Sequence, residues 1–300
     1  MKRWIKRSLI AIVAVLALGA AGLSLGAWLG DRKAARHIDV AVAAVEIPAD
    51  AKSLEHGRYL YLTRGCAECH GRDGAGRAFI DDGNMYVKAP NISPGPGSVV
   101  TAYRDEDWVR TVRHGVKPGG RPAFIMPSED YNRLTDADLG SLVAYVKQLP
   151  PADGSGLVTR IPQLVKTLYA AGVIRDAAEK IDHTLPPSAP LAEDGSPAHG
   201  AYVASSCIGC HGEHLSGGKI PGAPPSWPAA ANLTPGEGSA MARYANAEQF
   251  IAMLRSGRRP DGSEVSTVMP FGALREINDV EAKALFAHLK QLPPVGAGNR

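Results

Sequence analysis

The chain has only four cysteines, and all of them fall into two Cys-x-x-Cys-His runs. The residues are Cys66, Cys69 and His70 in the first run, and Cys207, Cys210 and His211 in the second. This spacing places two thiols on one turn, where they can add across the two vinyl groups of a haem while the adjacent histidine ligates the iron. The sequence therefore predicts two covalently bound haem c groups, attached through the cysteines and ligated by His70 and His211.

Cys-x-x-Cys pairs also occur in zinc sites, redox dithiols and disulfides. A zinc site built from both pairs needs no histidine directly after each second cysteine. A thioredoxin-type dithiol lies between a strand and a helix, a context that this sequence lacks. The repeated histidine therefore favours haem attachment. No cysteine is left over, which excludes cysteine as a distal iron ligand or a nucleophile.

A histidine-ligated iron needs a second axial ligand if it is to transfer electrons without binding small molecules, and methionine raises its potential. Met126 and Met269 follow the two motifs at nearly the same distance, and each is followed by proline. Met85, Met241 and Met253 have no methionine counterpart in the other half. We therefore predict that Met126 ligates the first haem and Met269 the second.

Two histidines outside the motifs, His56 and His199, are also repeated, so ligation by two histidines remains an alternative. They lie on the helix that leads into each motif, from which the distal face of a haem is hard to reach. The remaining histidines have no counterpart and are predicted to be surface or core residues; they are His37, His114, His183, His214 and His288.

Similarity extends beyond the motifs. The segment 91–95 recurs as 232–236, at the same offset as the motifs themselves, and 147–150 recurs as 290–293 at a slightly larger offset. Such self-similarity at a fixed period indicates duplication of one structural unit. The chain is therefore expected to contain one domain used twice.

Each copy is predicted to contain helices joined by long loops. A first helix covers about 54–64 and 198–206, and a middle helix covers about 105–114 and 247–256, with apolar residues at helical spacing. A last helix starts at a capping-box pattern beginning with Thr135 in one copy and Asn278 in the other. Gly57 and Gly200 are expected to let the first and last helices cross closely.

The N-terminal segment is basic over residues 1–7 and uncharged over 8–30. As a helix, residues 9–29 would span about 31 Å, close to the thickness of a bilayer's hydrocarbon core. Residues 1–36 are therefore predicted to anchor the chain in the cytoplasmic membrane. The positive-inside bias then places the rest on the periplasmic side. A cleaved signal peptide, with a small-residue site at 19–21, is the alternative.

Charge gives little sign of a nucleic-acid partner. Seven basic residues and one acidic residue lie within 1–36, so that segment has a net charge of +6. The whole chain has a formal net charge of +3, so residues 37–300 together have a net charge of −3. An acidic exposed part argues against nucleic-acid binding.

Residues 50–150 are expected to form the first domain and 198–295 the second. Between them, 151–197 forms a proline- and glycine-rich linker that contains one helix, at 161–181.

Several stretches besides the motifs resemble a known family. They are His56-Gly57-x-Tyr59, Asn91-Ile92-Ser93-Pro94, Asp107-Trp108-Val109, Met126-Pro127 and the run from Leu134 to Leu139. The chain resembles the class I c-type cytochromes over about 50–294. More closely, it is similar to the membrane-anchored multihaem cytochrome c subunits of periplasmic alcohol, aldehyde and gluconate dehydrogenases. Those subunits commonly carry three haems, whereas this chain has two motifs.

The resemblance implies an all-α fold with two tandem class I cytochrome c domains after a transmembrane helix. It implies electron transfer rather than catalysis, from a periplasmic dehydrogenase to quinone or a terminal oxidase. Two alternatives remain. A diheme subunit of a haem-copper oxidase would have a similar outline. A diheme peroxidase-type enzyme needs an open iron position, and a repeated methionine disfavours that.

Overall fold

The computed structural model describes residues 2–300 and is mostly helical. The helices are α1 (Lys2–Ala34), α2 (Ala51–Thr63), α3 (Cys66–His70), α4 (Asp105–His114), α5 (Asp136–Lys147), α6 (Gln163–Ala170), α7 (Ala177–Lys180), α8 (Pro197–Ala204), α9 (Ile208–His211), α10 (Ala247–Ser256), α11 (Phe271–Leu274) and α12 (Asp279–Gln291). Three 3-10 turns cover Ser128–Asp130, Ser205–Cys207 and Ala240–Arg243. The strands are β1 (Ala78–Asp81), β2 (Tyr86–Lys88) and β3 (Val158–Arg160).

The N-terminal helix α1 is largely apolar and is exposed except near its C-terminal end, where Ala27 is buried. Its span Arg3–Ala34 has a mean hydropathy of 2.4 over its most apolar window, and none of that window is buried. A helix of this length and composition can cross a membrane. The predicted N-terminal apolar helix is therefore present.

The linker departs from the single helix predicted at 161–181. It contains two short helices, α6 and α7, and the prediction was wrong in joining them. Gly172 adopts φ 78° after α6, a left-handed conformation that ends a helix. Asp176 then caps a new helix by accepting a hydrogen bond from the Glu179 amide.

The same linker packs against the C-terminal end of α1. Lys33 Nζ lies 2.9 Å from the Tyr169 carbonyl oxygen, and Arg36 Nη1 lies 2.7 Å from the Asp176 carboxylate. Asp176 is fully buried and Arg36 is only partly exposed, so solvent screens this pair weakly. The end of the apolar helix is thus joined to the segment between the two halves.

The middle and last helices match their predictions closely. The middle helices, α4 and α10, have the bounds predicted from the apolar spacing. Thr135 Oγ1 accepts a hydrogen bond from the Asp138 amide at 3.0 Å, and Asn278 Oδ1 accepts one from the Glu281 amide at 2.9 Å. The two capping patterns therefore do start α5 and α12.

The first and last helices of each half cross at a glycine. A Cβ atom on Gly57 would collide with the carbonyl oxygen of Ser141 in α5. A Cβ atom on Gly200 would collide with the carbonyl oxygen of Ala284 in α12. Ser141 and Ala284 are counterparts in the repeat, as the two glycines are. The close crossing therefore occurs twice, and both glycines have the predicted packing role.

The chain is not purely α-helical. β1, β2 and β3 form a small antiparallel sheet in which β2 pairs with both neighbours. The central strand places buried Val87 between Tyr86 and Lys88, an alternation that suits a half-buried strand. β3 comes from the linker and is exposed at all three positions. The all-α prediction missed it because isolated three-residue strands carry almost no periodic signal.

Apolar side chains form one main cluster in each half. The first is built around Leu60, Trp108 and Leu139, and the second around Val203, Phe250 and Leu285. Each cluster joins the first, middle and last helices of its half. The residues predicted to bind haem lie in the short turns and loops that connect these helices.

A buried ion pair joins the halves. Arg64, at the end of α2, lies 2.6 Å from the Glu281 carboxylate in α12, and both side chains are almost fully buried. His56 Nε2 lies 2.7 Å from Asp138 Oδ1, within the first half. Asp138 and Glu281 are repeat counterparts, so equivalent carboxylates receive different cationic partners.

Candidate functional site

Each Cys-x-x-Cys-His run folds as one tight turn. The first run is α3, which lies between Gly65 at φ 78° and Gly71 at φ 78°. The second run consists of the end of a 3-10 turn and α9, followed by Gly212 at φ 81°. In both runs the glycine after the histidine adopts a positive φ, which lets the chain leave the turn at once.

The two motif histidines are held in the same orientation. His70 Nδ1 lies 2.9 Å from the Pro90 carbonyl oxygen, and His211 Nδ1 lies 2.8 Å from the Ala231 carbonyl oxygen. A carbonyl only accepts, so Nδ1 carries the hydrogen and the Nε2 lone pair is free to ligate a metal. Pro90 and Ala231 are separated by the same offset as the two histidines, so the interaction belongs to the repeat.

Burial also controls the charge of these imidazoles. It lowers the pKa of His70 and of His211, and the hydrogen bonds to Pro90 and Ala231 oppose that shift without reversing it. The neutral imidazole is therefore favoured near neutral pH. Neutral imidazole is the form that ligates iron.

The thiols lack the environment of a redox dithiol. Burial raises the pKa of Cys66 to about 12, of Cys69 to about 11 and of Cys207 to about 12. Burial also raises the pKa of Cys210. Reactive dithiols require a lowered thiol pKa. Across residues 2–300, moreover, no three His, Cys, Asp or Glu side chains cluster as metal ligands, so the zinc alternative has no ligand set.

The predicted methionines lie with the predicted cysteines. Met126 and Cys66 both pack, partly buried, against the first apolar cluster, and Met269 and Cys207 pack against the second. The three methionines without a counterpart are buried among core residues; they are Met85, Met241 and Met253. The structure therefore brings each methionine to the half in which it was predicted to act, while the axial role itself remains a prediction.

The repeated histidines outside the motifs lie near the contact between the halves. His56 binds Asp138, as described above, and the hydrogen bond from His56 to Asp138 raises the pKa of His56. His199 is buried, and no partner for its Nδ1 lies within residues 2–300. Of the histidines without a repeat counterpart, His114 and His183 contact each other, with their Nδ1 atoms 3.0 Å apart.

The donor set suits a covalently bound haem. Two thiols on one turn would attach the haem, and a neutral imidazole with free Nε2 and a thioether in the same cluster would be available as ligands of its iron. In addition, Trp108 Nε1 is a buried donor in the first half, and no group within residues 2–300 accepts its hydrogen. A buried N–H without a partner is costly unless a bound group satisfies it. The residues therefore fit the cofactor that the motifs predict.

Sequence reasoning missed two contacts that join each motif to the other half. Asp130 Oδ1 accepts a hydrogen bond of 2.6 Å from the amide of Gly209, between the second pair of cysteines. Burial raises the pKa of Asp130 well above its ordinary value. A side chain on Gly272 would collide with the Glu68 carboxylate, between the first pair of cysteines. Each motif therefore abuts the segment after the other half's predicted methionine.

No local pattern announces these contacts. The Asp130 and Gly209 positions are 79 residues apart, and the interacting group on Gly209 is its backbone amide. The carbonyls of Pro90 and Ala231 are likewise backbone groups. Their only signal was that both come directly before the repeated segments 91–95 and 232–236.

Comparison with known proteins gives a match to a family of haem proteins. Residues 52–146 match the family described as cytochrome C oxidase, cbb3-type, subunit III. The chain is 35% identical over 142 residues to the fructose dehydrogenase cytochrome subunit of Gluconobacter japonicus, a match that covers 44% of this chain and 29% of that protein.

Two further relatives have the same character. The chain is 28% identical over 102 residues to the alcohol dehydrogenase (quinone), cytochrome c subunit of Gluconobacter oxydans, covering 32% of this chain and 21% of that one. It is 25% identical over 181 residues to the gluconate 2-dehydrogenase cytochrome c subunit of Pantoea cypripedii, covering 56% and 40%. The matches thus span less than half the length of each relative.

These similarities agree with the resemblance drawn from the motifs. The matched family is named as a cytochrome c oxidase subunit and the relatives as cytochrome subunits of dehydrogenases. The described turns, histidine orientation and methionine positions suit a haem cofactor. Residues 52–146 thus match a cytochrome family, and the chain is similar to the cytochrome c subunits of fructose, alcohol and gluconate dehydrogenases.

Proposed function

We propose that the chain is a diheme c-type cytochrome that transfers single electrons. Cys66 and Cys69 hold one haem c and Cys207 and Cys210 the other, with His70 and Met126 as axial ligands of the first and His211 and Met269 of the second. The observation that carries the proposal is the repeated hydrogen bond from a motif histidine to a backbone carbonyl. It prepares Nε2 for a metal in both halves.

The chain's own residues orient and protect the cofactor. Pro90 and Ala231 fix the imidazole rings, and burial keeps those rings neutral. The apolar clusters around Cys66 and Cys207 exclude water, and a thioether ligand and low polarity both raise the potential of haem iron. The haem supplies one-electron chemistry between ferrous and ferric iron.

The proposal includes a domain organisation, which the repeated contacts support. We assign residues 50–150 and 198–295 to two cytochrome c domains, with 151–197 as the linker between them. The glycine crossings and the carbonyl-bound histidines support equivalent folds, because both recur at the offsets of the repeat. Residues 1–36 are assigned as the membrane anchor, with the haem domains on the periplasmic side.

The electron donor in this proposal is a periplasmic dehydrogenase, and the acceptor is quinone or a terminal oxidase. The names of the similar fructose, alcohol and gluconate dehydrogenase subunits support the donor. The name of the matched family supports an alternative, in which the chain is the diheme subunit of a haem-copper oxidase.

The visible spectrum of the purified full chain tests the cofactor assignment. Two covalent haems per chain are expected, and ferric protein should show the weak long-wavelength absorbance of methionine-ligated iron. Met126→Ala and Met269→Ala should each remove about half of that absorbance. Met253→Leu serves as a control, because Met253 is buried in the second core cluster and should leave the spectrum unchanged.

Two results would overturn the proposal. One is a full methionine signal in both alanine variants, which would remove the axial assignment. The other is rapid peroxide turnover by the unmodified protein, because that chemistry needs an open iron position and indicates an enzyme rather than a carrier.

A further inference from the structure

The second half contains a cavity of about 400 Å³ next to its haem-attachment motif. It lies between α8, the loop after the motif and the end of α12. Its walls include Ala204, Ile208, His214, Leu215, His288 and Leu292. The volume is within the range of about 300–1,000 Å³ that ligand sites occupy, and a largely apolar wall with a few polar groups is typical of such sites.

Two tyrosine rings fill the corresponding place in the first half. Tyr61 is fully buried, and its ring centroid lies 5.5 Å from that of Tyr145. At the offset that relates Gly57 to Gly200, Tyr61 corresponds to Ala204 and Tyr145 to His288. Replacing one phenol ring by a methyl group and the other by an imidazole opens the space. The cavity therefore occupies the place of a pair of phenol rings.

A hydrogen-bond acceptor for a phenol hydroxyl is also present. In the first half, Tyr61 donates its hydroxyl hydrogen to the Gly71 carbonyl oxygen at 2.6 Å. The counterpart of Gly71 is Gly212, whose carbonyl oxygen accepts one hydrogen bond, of 2.9 Å, from the Leu215 amide. A carbonyl oxygen has two lone pairs, so Gly212 can accept a second bond from a ligand.

Leu215 is the one residue other than glycine that has a positive φ, 56°, within residues 2–300. Its counterpart is Gly74, which adopts φ 77° without a side chain to strain. The left-handed conformation is strained for a residue that has a Cβ atom, such as leucine. Backbone strain of this kind concentrates at functional sites. Here it places an apolar side chain in the wall of the cavity.

We propose that this cavity binds the ring of a quinone or quinol. The inference rests on the proposed function, in which quinone is one of two candidate acceptors, and it assigns that acceptor a place beside the second motif. A quinol ring has the shape and the hydroxyl groups of the phenol rings that fill the first half. Burial lowers the pKa of His288, so its neutral imidazole can donate to a quinone oxygen or accept from a quinol hydroxyl.

Binding of a soluble single-ring quinone, ubiquinone-1, to the full chain tests this site. Both haems are kept ferric, so that equilibrium dialysis reports binding without turnover. The variant Ala204→Tyr with His288→Tyr copies the first half and fills the cavity. It should bind the quinone about tenfold more weakly or not at all. Ala252→Tyr, on the exposed part of α10, introduces a tyrosine elsewhere and should not change the affinity.

Equal quinone affinity in the unmodified protein and in the double variant would overturn the inference, provided that the variant's haem spectrum and melting temperature are unchanged. A smaller replacement, Ala204→Leu, covers the case in which the double variant does not fold, and it should also weaken binding. Undetectable quinone binding by the unmodified protein would overturn it as well. A protein with two methionine-ligated haems and no quinone affinity would keep the proposed function and lose only this site.

Discussion

The Tyr59 hydroxyl donates its hydrogen to the Glu281 carboxylate over 2.7 Å, although the two residues are 222 positions apart. The same oxygen accepts a hydrogen bond of 3.1 Å from the Asn278 amide, at the start of α12. The counterpart Tyr202 donates to Asp138 and accepts from the Thr135 amide at 3.1 Å, at the start of α5. Each half thus completes the cap of the other half's last helix, which is the pattern of a twofold interface.

Removal of either tyrosine hydroxyl should destabilise the protein. In Tyr59→Phe and in Tyr202→Phe, the free energy of unfolding is expected to fall by about 1–2 kcal/mol, because a buried or half-buried carboxylate oxygen and a backbone N–H each lose a partner. Urea unfolding followed by far-UV circular dichroism measures this. Tyr86→Phe, at a partly exposed tyrosine, should change the value by less than about 0.5 kcal/mol. Equal values for all three variants would contradict the interface.

Breaking the buried ion pair between Arg64 and Glu281 should lower the free energy of unfolding by more than removing a tyrosine hydroxyl does. The change Glu281→Gln leaves the Arg64 guanidinium charged and buried, so a loss of about 3–5 kcal/mol is expected. The control is Glu55→Gln, which breaks an exposed pair with Arg58 and should cost less than about 1 kcal/mol. Guanidinium unfolding with linear extrapolation compares them. A loss for Glu281→Gln no larger than that of the control would mean that the charge is hydrated.

Adding one methyl group at either crossing glycine should destabilise the protein through a steric clash. In Gly57→Ala and Gly200→Ala the added Cβ meets a backbone carbonyl of the crossing helix, which cannot move aside as a side chain can. A loss of about 1–3 kcal/mol or more is expected in each. Gly296→Ala is the control, since no atom lies within 4 Å of a Cβ built there. Thermal unfolding should separate the variants, and an unchanged melting temperature for Gly57→Ala would refute the close crossing.

Stability should depend on pH through His56. Its hydrogen bond to Asp138 raises the pKa of His56 above the ordinary 6.5. The contribution of His56 is therefore fully present below about pH 6.5 and is lost as the pH rises through the folded-state pKa. Burial alone would raise the pKa of Asp138, but hydrogen bonds from His56 and Tyr202 outweigh it and lower that pKa. Asp138 therefore loses its contribution only as the pH falls through its lowered pKa.

Melting temperatures of the unmodified protein and of His56→Gln at about pH 6 and about pH 9 test this. The difference between the two proteins should shrink at the higher pH. A constant difference would show that His56 does not titrate against Asp138.

Local sequence signals were enough for most helices. The bounds of α4 follow from apolar residues at helical spacing, and Thr135 marks the start of α5 because its side chain can bond a nearby amide. The repeat also singled out Gly57, Gly200 and Tyr59. The interface role of Tyr59 was not foreseen, because its partner Glu281 lies in the other half and no local pattern relates the two residues.

The remainder depended on long-range packing. β3 is three residues long and fully exposed, so its pairing with β2 cannot be inferred from its composition. The break between α6 and α7 depends on the left-handed conformation of Gly172, which many helix-interior glycines do not adopt. The cavity lies where Ala204 and His288 replace two tyrosines of the first half. That these two positions are adjacent in space is known only from the folded structures of both halves.

The reciprocal capping by Tyr59 and Tyr202 could equally be made by two identical chains, each serving the other. Two identical chains, however, have identical sequences, so a tyrosine pair in one chain would also be present in the other. In a single polypeptide the two copies can differ in sequence. The two copies here keep a common interface, while Tyr61 and Tyr145 are present in the first copy only. A mutation can therefore change one copy and leave the other unchanged.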